Sequence, residues 1–360
     1  GGHADVGVLS GGGSSQVRSV GGAPVEIPLK SGPAASFART TWHASSPLEA
    51  VRAVAPQATV TYVDGRDAAA AADAAAHADI AIVFATQWRT EAEDLADLSL
   101  PDGQDGLIST VAAAQAKTVV VLETGGPVRM PWLGQAGAVL AAWYPGQRGG
   151  QAIANILFGR VNPSGHLPIT FPAADAQAPR PAPVNLAQVR ADDAASNAGS
   201  AGGQLAIFPV EYGEGADAGY RWYARQGLKP LFPFGYGLSY TRFAYGHFDV
   251  RRGPQGLTAS LDVTNAGQRA GADVPQIYAA VPGGGMARLV AFGRVQLAPG
   301  ETRHLTLPIE MRAMARWQGQ KRRWKLEAGS YRFTLGRHAG DVQASRSVAM
   351  PARELAASVR

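Results

Sequence analysis

The chain has 360 residues, of which 46% are hydrophobic and 17% are charged, and its formal net charge is +5. This length allows two or three domains with apolar cores of their own, and the composition argues against a disordered chain. The sequence contains no cysteine, which excludes disulfides, thiolate metal sites and thiol nucleophiles. It also contains no run of about 18 apolar residues, so it predicts no membrane-spanning helix.

Residues 1–172 alternate short β patterns with helical patterns, which is typical of βαβ units and a mostly parallel sheet. The predicted strands lie at 58–63, 79–85, 118–122, 138–142 and 167–171. The predicted helices lie at 47–54, 67–77, 104–115 and 150–158. Residues 1–7 are similar to a loop that follows a strand, so we expect the first strand of this α/β domain to precede the chain, within a larger protein.

Residues 173–244 form the next region, in which a linker rich in Ala, Pro and Gly is followed by an aromatic-rich connector. Residues 245–350 then show period-two patterns separated by turn residues, without crossover helices. The predicted strands of this region lie at 257–264, 273–280, 290–297, 302–309 and 331–335. The pattern predicts a β-sandwich. For the basic run at 320–325, a solvated hairpin is favoured over a nucleic-acid patch.

One carboxylate is placed where chemistry is expected. Open parallel sheets bind ligands outside the carboxyl ends of their strands, and Glu91 follows the predicted strand at 79–85. Taken alone, a single Glu in a loop after a strand is also typical of a solvated residue or of an acid at a helix start. The residues around Glu91 carry the further argument.

Residues 87–101, with the sequence QWRTEAEDLADLSLP, resemble the acid/base loop of glycoside hydrolase family 3, whose usual form is E-G-x-D-R-x-x-L-x-L-P. The positions that match are Glu91, Asp94, Leu98, Leu100 and Pro101, while Ala92 and Leu95 replace the family's Gly and Arg. Residues 142–168 resemble its Y-P-G-Q-E-G-G and L-F-G-D-x-N-P-S-G-R-L-P motifs. Arg148 replaces the Glu of the first motif, and Arg160 and His166 replace the Asp and the Arg of the second. Residues 232–240 match F-P-F-G-x-G-L-S-Y, and the region after them resembles the fibronectin type III-like domain of the family.

This resemblance implies an α/β sandwich domain followed by a fibronectin type III-like β-sandwich. It implies the C-terminal part of a retaining exo-acting β-glycosidase, namely a β-glucosidase, that needs no metal or organic cofactor. Glu91 would be its acid/base, with Glu93 as the fallback. The second carboxylate of a retaining site, about 5–5.5 Å from the first, would be an Asp on an N-terminal (β/α)8 barrel. The expected location is periplasmic or secreted.

Two further features are candidates for substrate contacts. Residues 9–17 form a Gly-rich loop that lacks the spacing of a phosphate-binding motif, and the resemblance places Gly12 and Ser14 on a sugar-facing rim. Trp88 is either a platform for a pyranose ring or a core or domain-interface tryptophan. A non-catalytic carbohydrate-binding or scaffolding module stays open as the alternative function, and a nucleotide-binding α/β protein is third. No nucleic-acid or membrane partner is expected.

Overall fold

The computed structural model describes residues 3–13, 20–30, 38–91, 95–182, 184–185, 187, 208–254, 256–284 and 286–356. The chain forms two compact units. The α/β unit contains Gly1–Arg160 and Pro172–Tyr212, and the sandwich unit contains Val161–Phe171 and Gly213–Arg360. The predicted fold class, an α/β domain with a parallel sheet followed by an all-β domain, is confirmed. The domain boundaries at 172 and 244, and a strand preceding the chain, stay predictions.

The α/β unit contains two three-stranded sheets. The first is antiparallel, with β1 (Val8–Ser10), β2 (Val25–Pro28) and β3 (Arg39–His43) in the order β1-β3-β2. The second is parallel, with β4 (Ala81–Gln87), β5 (Thr118–Thr124) and β6 (Ala138–Ala141) in the order β4-β5-β6. The central strand β5 is an almost continuous apolar run that is nearly fully buried, as expected for a parallel strand covered on both faces.

The described part of the α/β unit contains four helices of eight residues or more, and each begins and ends within one residue of its prediction. They are α1 (Pro47–Val54), α2 (Ala68–Ala76), α3 (Gln104–Ala114) and α4 (Gly149–Leu157). Local capping explains where the first two begin, because Ser46 accepts from the Glu49 N–H and Asp67 accepts from the N–H groups of Ala69 and Ala70. Helix α1 packs against α4, and α2 packs against α3.

Two strands predicted in the first 172 residues do not form. The segment 58–63 forms no β ladder with any described residue, although its sequence is β-like. The segment 167–171 makes hydrogen bonds to the connector at both ends, from Leu167 N–H to the Tyr236 carbonyl and from Phe171 N–H to the Phe232 carbonyl. Pro168 and Pro233 lie between these contacts and have no N–H to donate, so the ladder is reduced to an isolated bridge at Phe171.

In the sandwich unit, the segment from Gly213 onward contains a short helix followed by antiparallel strands. The helix is α5 (Tyr220–Gln226), and the strands are β7 (Phe243–Gly253), β8 (Gly256–Asn265), β9 (Gly271–Asp273), β10 (Gln276–Ala280), β11 (Arg288–Phe292), β12 (Val295–Leu297), β13 (Thr302–Pro308), β14 (Arg316–Gln318), β15 (Arg323–Leu326), β16 (Gly329–Gly336), β17 (Ala344–Met350) and β18 (Arg353–Leu355). They form sheets with the orders β13-β8-β7, β11-β10-β16-β17, β12-β9 and β14-β15-β18. Alternate residues of β8 enter one large apolar core.

Two predicted strands of the sandwich are each split in two. Pro275 separates β9 from β10, and Gly293 lies in the break between β11 and β12. The two breaks lie opposite each other, because β10 pairs with β11 on one side of them and β9 pairs with β12 on the other. The basic run at 320–325 lies on the antiparallel hairpin of β14 and β15, which confirms the predicted hairpin. No helix in the described part of the chain is both long and apolar enough to cross a membrane.

Candidate active site

Glu91 lies on an exposed turn just beyond the carboxyl end of β4, which ends at Gln87. Strands β5 and β6 run parallel to β4, so the residues after all three strands meet at one edge of the sheet. Glu91 is therefore where an acid can reach a ligand bound outside this edge. The residues around it decide how firmly the turn is held.

The hydroxyl of Tyr144 holds the backbone that leads to Glu91. Tyr144 follows β6, and its Oη accepts a hydrogen bond of 2.8 Å from the Arg89 N–H. The same hydroxyl donates to the Gln87 carbonyl at 3.1 Å and lies against Gly125, where a Cβ would be 2.5 Å from it. One side chain after β6 thus bonds to the end of β4 and packs against the residues after β5.

The side chains of Arg89 and Gln87 fasten the same turn. The Arg89 guanidinium donates to Gln87 Oε1 at 3.0 and 3.1 Å and to the Pro127 carbonyl at 3.1 Å. The buried Gln87 side chain donates in turn to the Ser99 carbonyl at 2.8 Å, which closes the loop on itself. Burial lowers the pKa of Arg89, but an arginine remains charged throughout the physiological range.

The Gly-rich loop after β1 packs directly on this turn. The Gly12 N–H donates to the Arg89 carbonyl at 2.9 Å, and a Cβ at Gly12 would lie 2.6 Å from Thr90 Oγ1. At Gly13 the backbone has a φ of +101°, and a Cβ there would lie 2.9 Å from the Glu91 Cβ. Only glycine fits both positions without strain, so the absence of side chains is what lets the loop approach Glu91.

A buried carboxyl lies at the same edge of the sheet. Glu123 is the next-to-last residue of β5, is 1% exposed, and accepts a hydrogen bond of 2.7 Å from the Leu9 N–H. Burial raises the pKa of Glu123 to about 8, against the smaller opposing effect of that hydrogen bond. Glu123 is therefore mostly protonated at neutral pH, in contrast to an exposed carboxylate.

The structure brings together three of the five residues predicted for the site. Glu91, Trp88 and Gly12 lie side by side, whereas Ser14 and the fallback acid Glu93 lie outside the described residues. Trp88 is partly buried and packs against Gly12, and its Nε1 has no hydrogen-bond partner among the described residues. A stacking role for Trp88 stays a prediction.

The residues that hold Glu91 in place were not among those predicted from the sequence. No site role was predicted for Tyr144, Arg89, Gln87 or Glu123. A signal for Tyr144 was present, because residues that follow neighbouring parallel strands meet at one edge of the sheet. No sequence pattern indicated the buried contact of Glu123, which depends on the position of β1.

Three of the five positions that depart from the family motifs make contacts away from this turn. Arg148 is exposed and precedes α4. Arg160 donates to the Val54 carbonyl at 3.1 Å. His166 donates from Nδ1 to the Gly235 carbonyl at 2.6 Å, with Nε2 3.8 Å from Asp273 Oδ1. None of these contacts involves Glu91. The other two departures lie in the acid loop itself, where Leu95 is half-buried and Ala92 is outside the described residues.

Comparison with known sequences assigns the chain to a protein family. The sequence model of the Glycosyl hydrolase family 3 C-terminal domain matches residues 1–240, which is two thirds of the chain. The chain belongs to glycoside hydrolase family 3. Its family 3 domain is followed by a Fibronectin type III-like domain, matched at residues 273–339, so the resemblance seen in the sequence motifs is confirmed.

Two relatives of this family 3 chain are named beta-glucosidases. The chain is 42% identical to a beta-glucosidase of Rhizobium radiobacter over 74% of this chain and 31% of the relative. It is 36% identical to the thermostable beta-glucosidase B of Acetivibrio thermocellus over 76% of this chain and 35% of the relative. The chain therefore spans about a third of the length of these relatives.

Solved structures resemble the chain in fold and in sequence. DesR, a beta-glucosidase from Streptomyces venezuelae solved in complex with D-glucose, matches with a TM-score of 0.67 and 37% identity, over 78% of this chain and 35% of DesR. The family 3 beta-glucosidase of Bifidobacterium adolescentis matches with a TM-score of 0.70 and 30% identity, over 86% of this chain and 45% of that one. Both likenesses extend over most of the chain.

Proposed function

We propose that this chain is the C-terminal part of a retaining β-glucosidase and that Glu91 is its general acid/base. The observation that carries the proposal is the exposed carboxyl of Glu91 on a turn fixed by Tyr144 and Gly12 at the carboxyl edge of the parallel sheet. The names of the relatives support glucose as the sugar. The nucleophilic carboxylate would come from a (β/α)8 barrel that precedes this region in the complete protein.

In the first step, the nucleophilic carboxylate attacks C1 of the terminal glucoside while Glu91 donates its proton to the glycosidic oxygen. The C1–O bond breaks, the leaving group departs as an alcohol, and a covalent glucosyl-enzyme remains. In the second step, Glu91 removes a proton from a water molecule that attacks C1. Glucose is released with its β configuration, and both carboxyl groups return to their starting protonation states.

This mechanism requires a carboxyl that is exposed to substrate but fixed in position. An exposed side chain on a freely moving loop would lose much of the advantage of proximity, since general acid catalysis depends on placing the donor within hydrogen-bond reach of the leaving oxygen. The hydrogen bonds of Tyr144 and Arg89 satisfy this requirement on the side of the chain that precedes Glu91.

The test is the dependence of Glu91→Gln on the leaving group, measured in the complete enzyme. With phenyl β-glucoside, whose leaving group needs a proton, we expect kcat/KM to fall about 10²- to 10⁴-fold. With 2,4-dinitrophenyl β-glucoside, which needs none, we expect a much smaller loss in kcat/KM. Glu49→Gln, an exposed carboxyl on α1, is the control and should change neither value.

Two outcomes would contradict the proposal. An equal loss on both substrates would show that Glu91 does not act as an acid, and the same selective loss in Glu93→Gln instead would move the acid by two residues. A complete protein that binds glucosides without hydrolysing them would favour the carbohydrate-binding module. Parallel assays with nitrophenyl β-xyloside and α-arabinoside test the choice of glucose.

A further inference from the structure

The hydroxyl of Tyr144 is hydrogen-bonded to the backbone that leads into the acid loop. A tyrosine hydroxyl can both donate and accept. Here it donates to the Gln87 carbonyl and accepts from the Arg89 N–H. Both backbone groups lie at the carboxyl edge of the sheet, and Arg89 is two residues from Glu91.

We propose that Tyr144 is a positioning residue that sets the place of the Glu91 carboxyl through this hydroxyl. The inference rests on the proposed role of Glu91 as the acid. Tyr144 has no direct part in the reaction. Its contribution is to fix the backbone of Arg89, and with it the turn that presents Glu91.

The ring and the hydroxyl of Tyr144 make different kinds of contact, so their contributions can be tested separately. A Cβ at Gly11 would lie 2.7 Å from Cε2 of the ring, and a Cβ at Gly125 would lie 2.5 Å from its Oη. The ring therefore rests directly on two glycine backbones. Removing only the hydroxyl leaves that packing in place but leaves the Arg89 N–H and the Gln87 carbonyl without their partner, which is unfavourable wherever these groups stay buried. Movement of the turn is the cheaper response.

The backbone before Tyr144 gives independent support. Trp143 has a φ of +55°, a conformation that is costly for a residue with a Cβ and that persists only where its surroundings enforce it. Burial raises the pKa of Tyr144, so its hydroxyl keeps its proton and remains a donor to the Gln87 carbonyl across the neutral range.

The test compares Tyr144→Phe with the unaltered complete enzyme on the same two glucosides. Misplacing a catalytic group by about 1 Å costs on the order of 100-fold in rate. We therefore expect kcat/KM for phenyl β-glucoside to fall about 10- to 100-fold, through kcat more than KM, and the value for the dinitrophenyl glucoside to fall less than about 3-fold. Tyr62→Phe is the matched control, since Tyr62 also donates to a neighbour, Asp5, and should alter neither substrate.

A second variant keeps the inference testable if Tyr144→Phe fails to fold. Gly125→Ala places a methyl group against the Tyr144 hydroxyl and should produce the same selective loss. Gly134→Ala is its control, because a Cβ there meets no atom within 4 Å. A loss of equal size on both substrates, or no loss, in either folded variant would overturn the inference about Tyr144.

The two proposals fail in different ways. If Glu91→Gln shows the selective loss and Tyr144→Phe does not, the acid stands and the positioning role is wrong. If Glu91→Gln shows no selective loss, the proposed function fails first.

Discussion

The two units of the chain differ in how their interiors are built. In the sandwich unit, a single large core of aliphatic and aromatic residues joins β8, β10 and β16, and the buried acidic residues Glu214 and Asp273 lie outside it. In the α/β unit, the apolar clusters are smaller, and the carboxyl edge of the parallel sheet buries Gln87, Glu123 and Thr124. Burying polar groups is costly unless they are bonded. The sandwich is therefore stabilised mainly by one apolar core, whereas the edge of the parallel sheet holds several buried polar groups close to Glu91.

One of the buried amides of the sandwich unit, Asn265, sharpens this contrast. Asn265 is fully buried, and its side chain accepts from Thr241 Oγ1 and the Gly267 N–H and donates to the Arg269 and Leu297 carbonyls. All of its capacity is used by groups of the same unit, as expected for a structural residue. The buried Glu123 accepts a single hydrogen bond from the described residues.

The largest expected effect on stability is in the sandwich core. Phe333 on β16 is fully buried, and Phe333→Ala should lower the free energy of unfolding of the unit that contains it by about 3–5 kcal/mol. Phe292→Ala is the control, because that ring is 63% exposed. Urea unfolding followed by tryptophan fluorescence measures both, and similar losses would refute the assignment of the core.

The buried amide comes next. Asn265→Ala leaves the Gly267 N–H and two carbonyls without their partner, so we expect a loss of about 3 kcal/mol. The ratio of activities on the two aryl glucosides should stay constant in this variant, since Asn265 belongs to the sandwich. A loss below about 1 kcal/mol would show that the turn rearranges or that water replaces the amide.

The buried carboxyl predicts a pH-dependent effect. The pKa of Glu123 is about 8 in the folded protein and close to the ordinary glutamate value of 4.5 when unfolded, so between these values the folded state holds a proton that the unfolded state has lost. Stability therefore falls as pH rises from about 4.5 to 8 and levels off above 8. Glu123→Gln keeps an acceptor for the Leu9 N–H but has no proton to lose.

Thermal and urea unfolding at pH 6 and pH 8 measure this difference. The stability of Glu123→Gln relative to the unaltered protein should rise by about 2 kcal/mol between the two pH values, from about 1.4 kcal/mol per unit of pH. A constant difference would mean that Glu123 is ionised throughout and has a stabilising partner.

The smallest expected effect is at the surface of the sandwich. Arg323 on β15 and Glu354 on β18 form an ion pair in which both side chains are nearly half exposed. Glu354→Gln should change the free energy of unfolding by less than about 0.5 kcal/mol, because exposed pairs are screened and costly to order. A larger change would mean that surface ion pairs contribute to the stability of the sandwich, and that its apolar core is not the main source of that stability.

Much of the architecture follows from local sequence signals. The starts of α1 and α2 were predictable because Ser46 and Asp67 are capping residues, and β4 and β5 were predictable because they are short apolar runs between helices. Strand pairing was harder to predict, since it depends on neighbours that are distant in sequence. The breaks at Pro275 and Gly293 became meaningful only once the strands were paired.

The candidate site was predictable in part. Glu91 could be selected because of its place after β4 and its resemblance to the family loop. The contacts that hold it were not predictable, because Tyr144, Gly125 and Gly12 follow three other strands, and their distances depend on the packing of the whole edge. Glu123 was hidden for the same reason, since its burial depends on how β1 lies against β5.

The most direct test of the central claim is the product that the complete enzyme forms from 2,4-dinitrophenyl β-glucoside when Glu91→Ala is supplied with azide. If Glu91 is the acid/base, azide should attack C1 of the glucosyl-enzyme without needing a base, speed turnover and yield β-glucosyl azide. No acceleration by azide would contradict the account. Formation of α-glucosyl azide would contradict it more specifically, because it would identify Glu91 as the nucleophile.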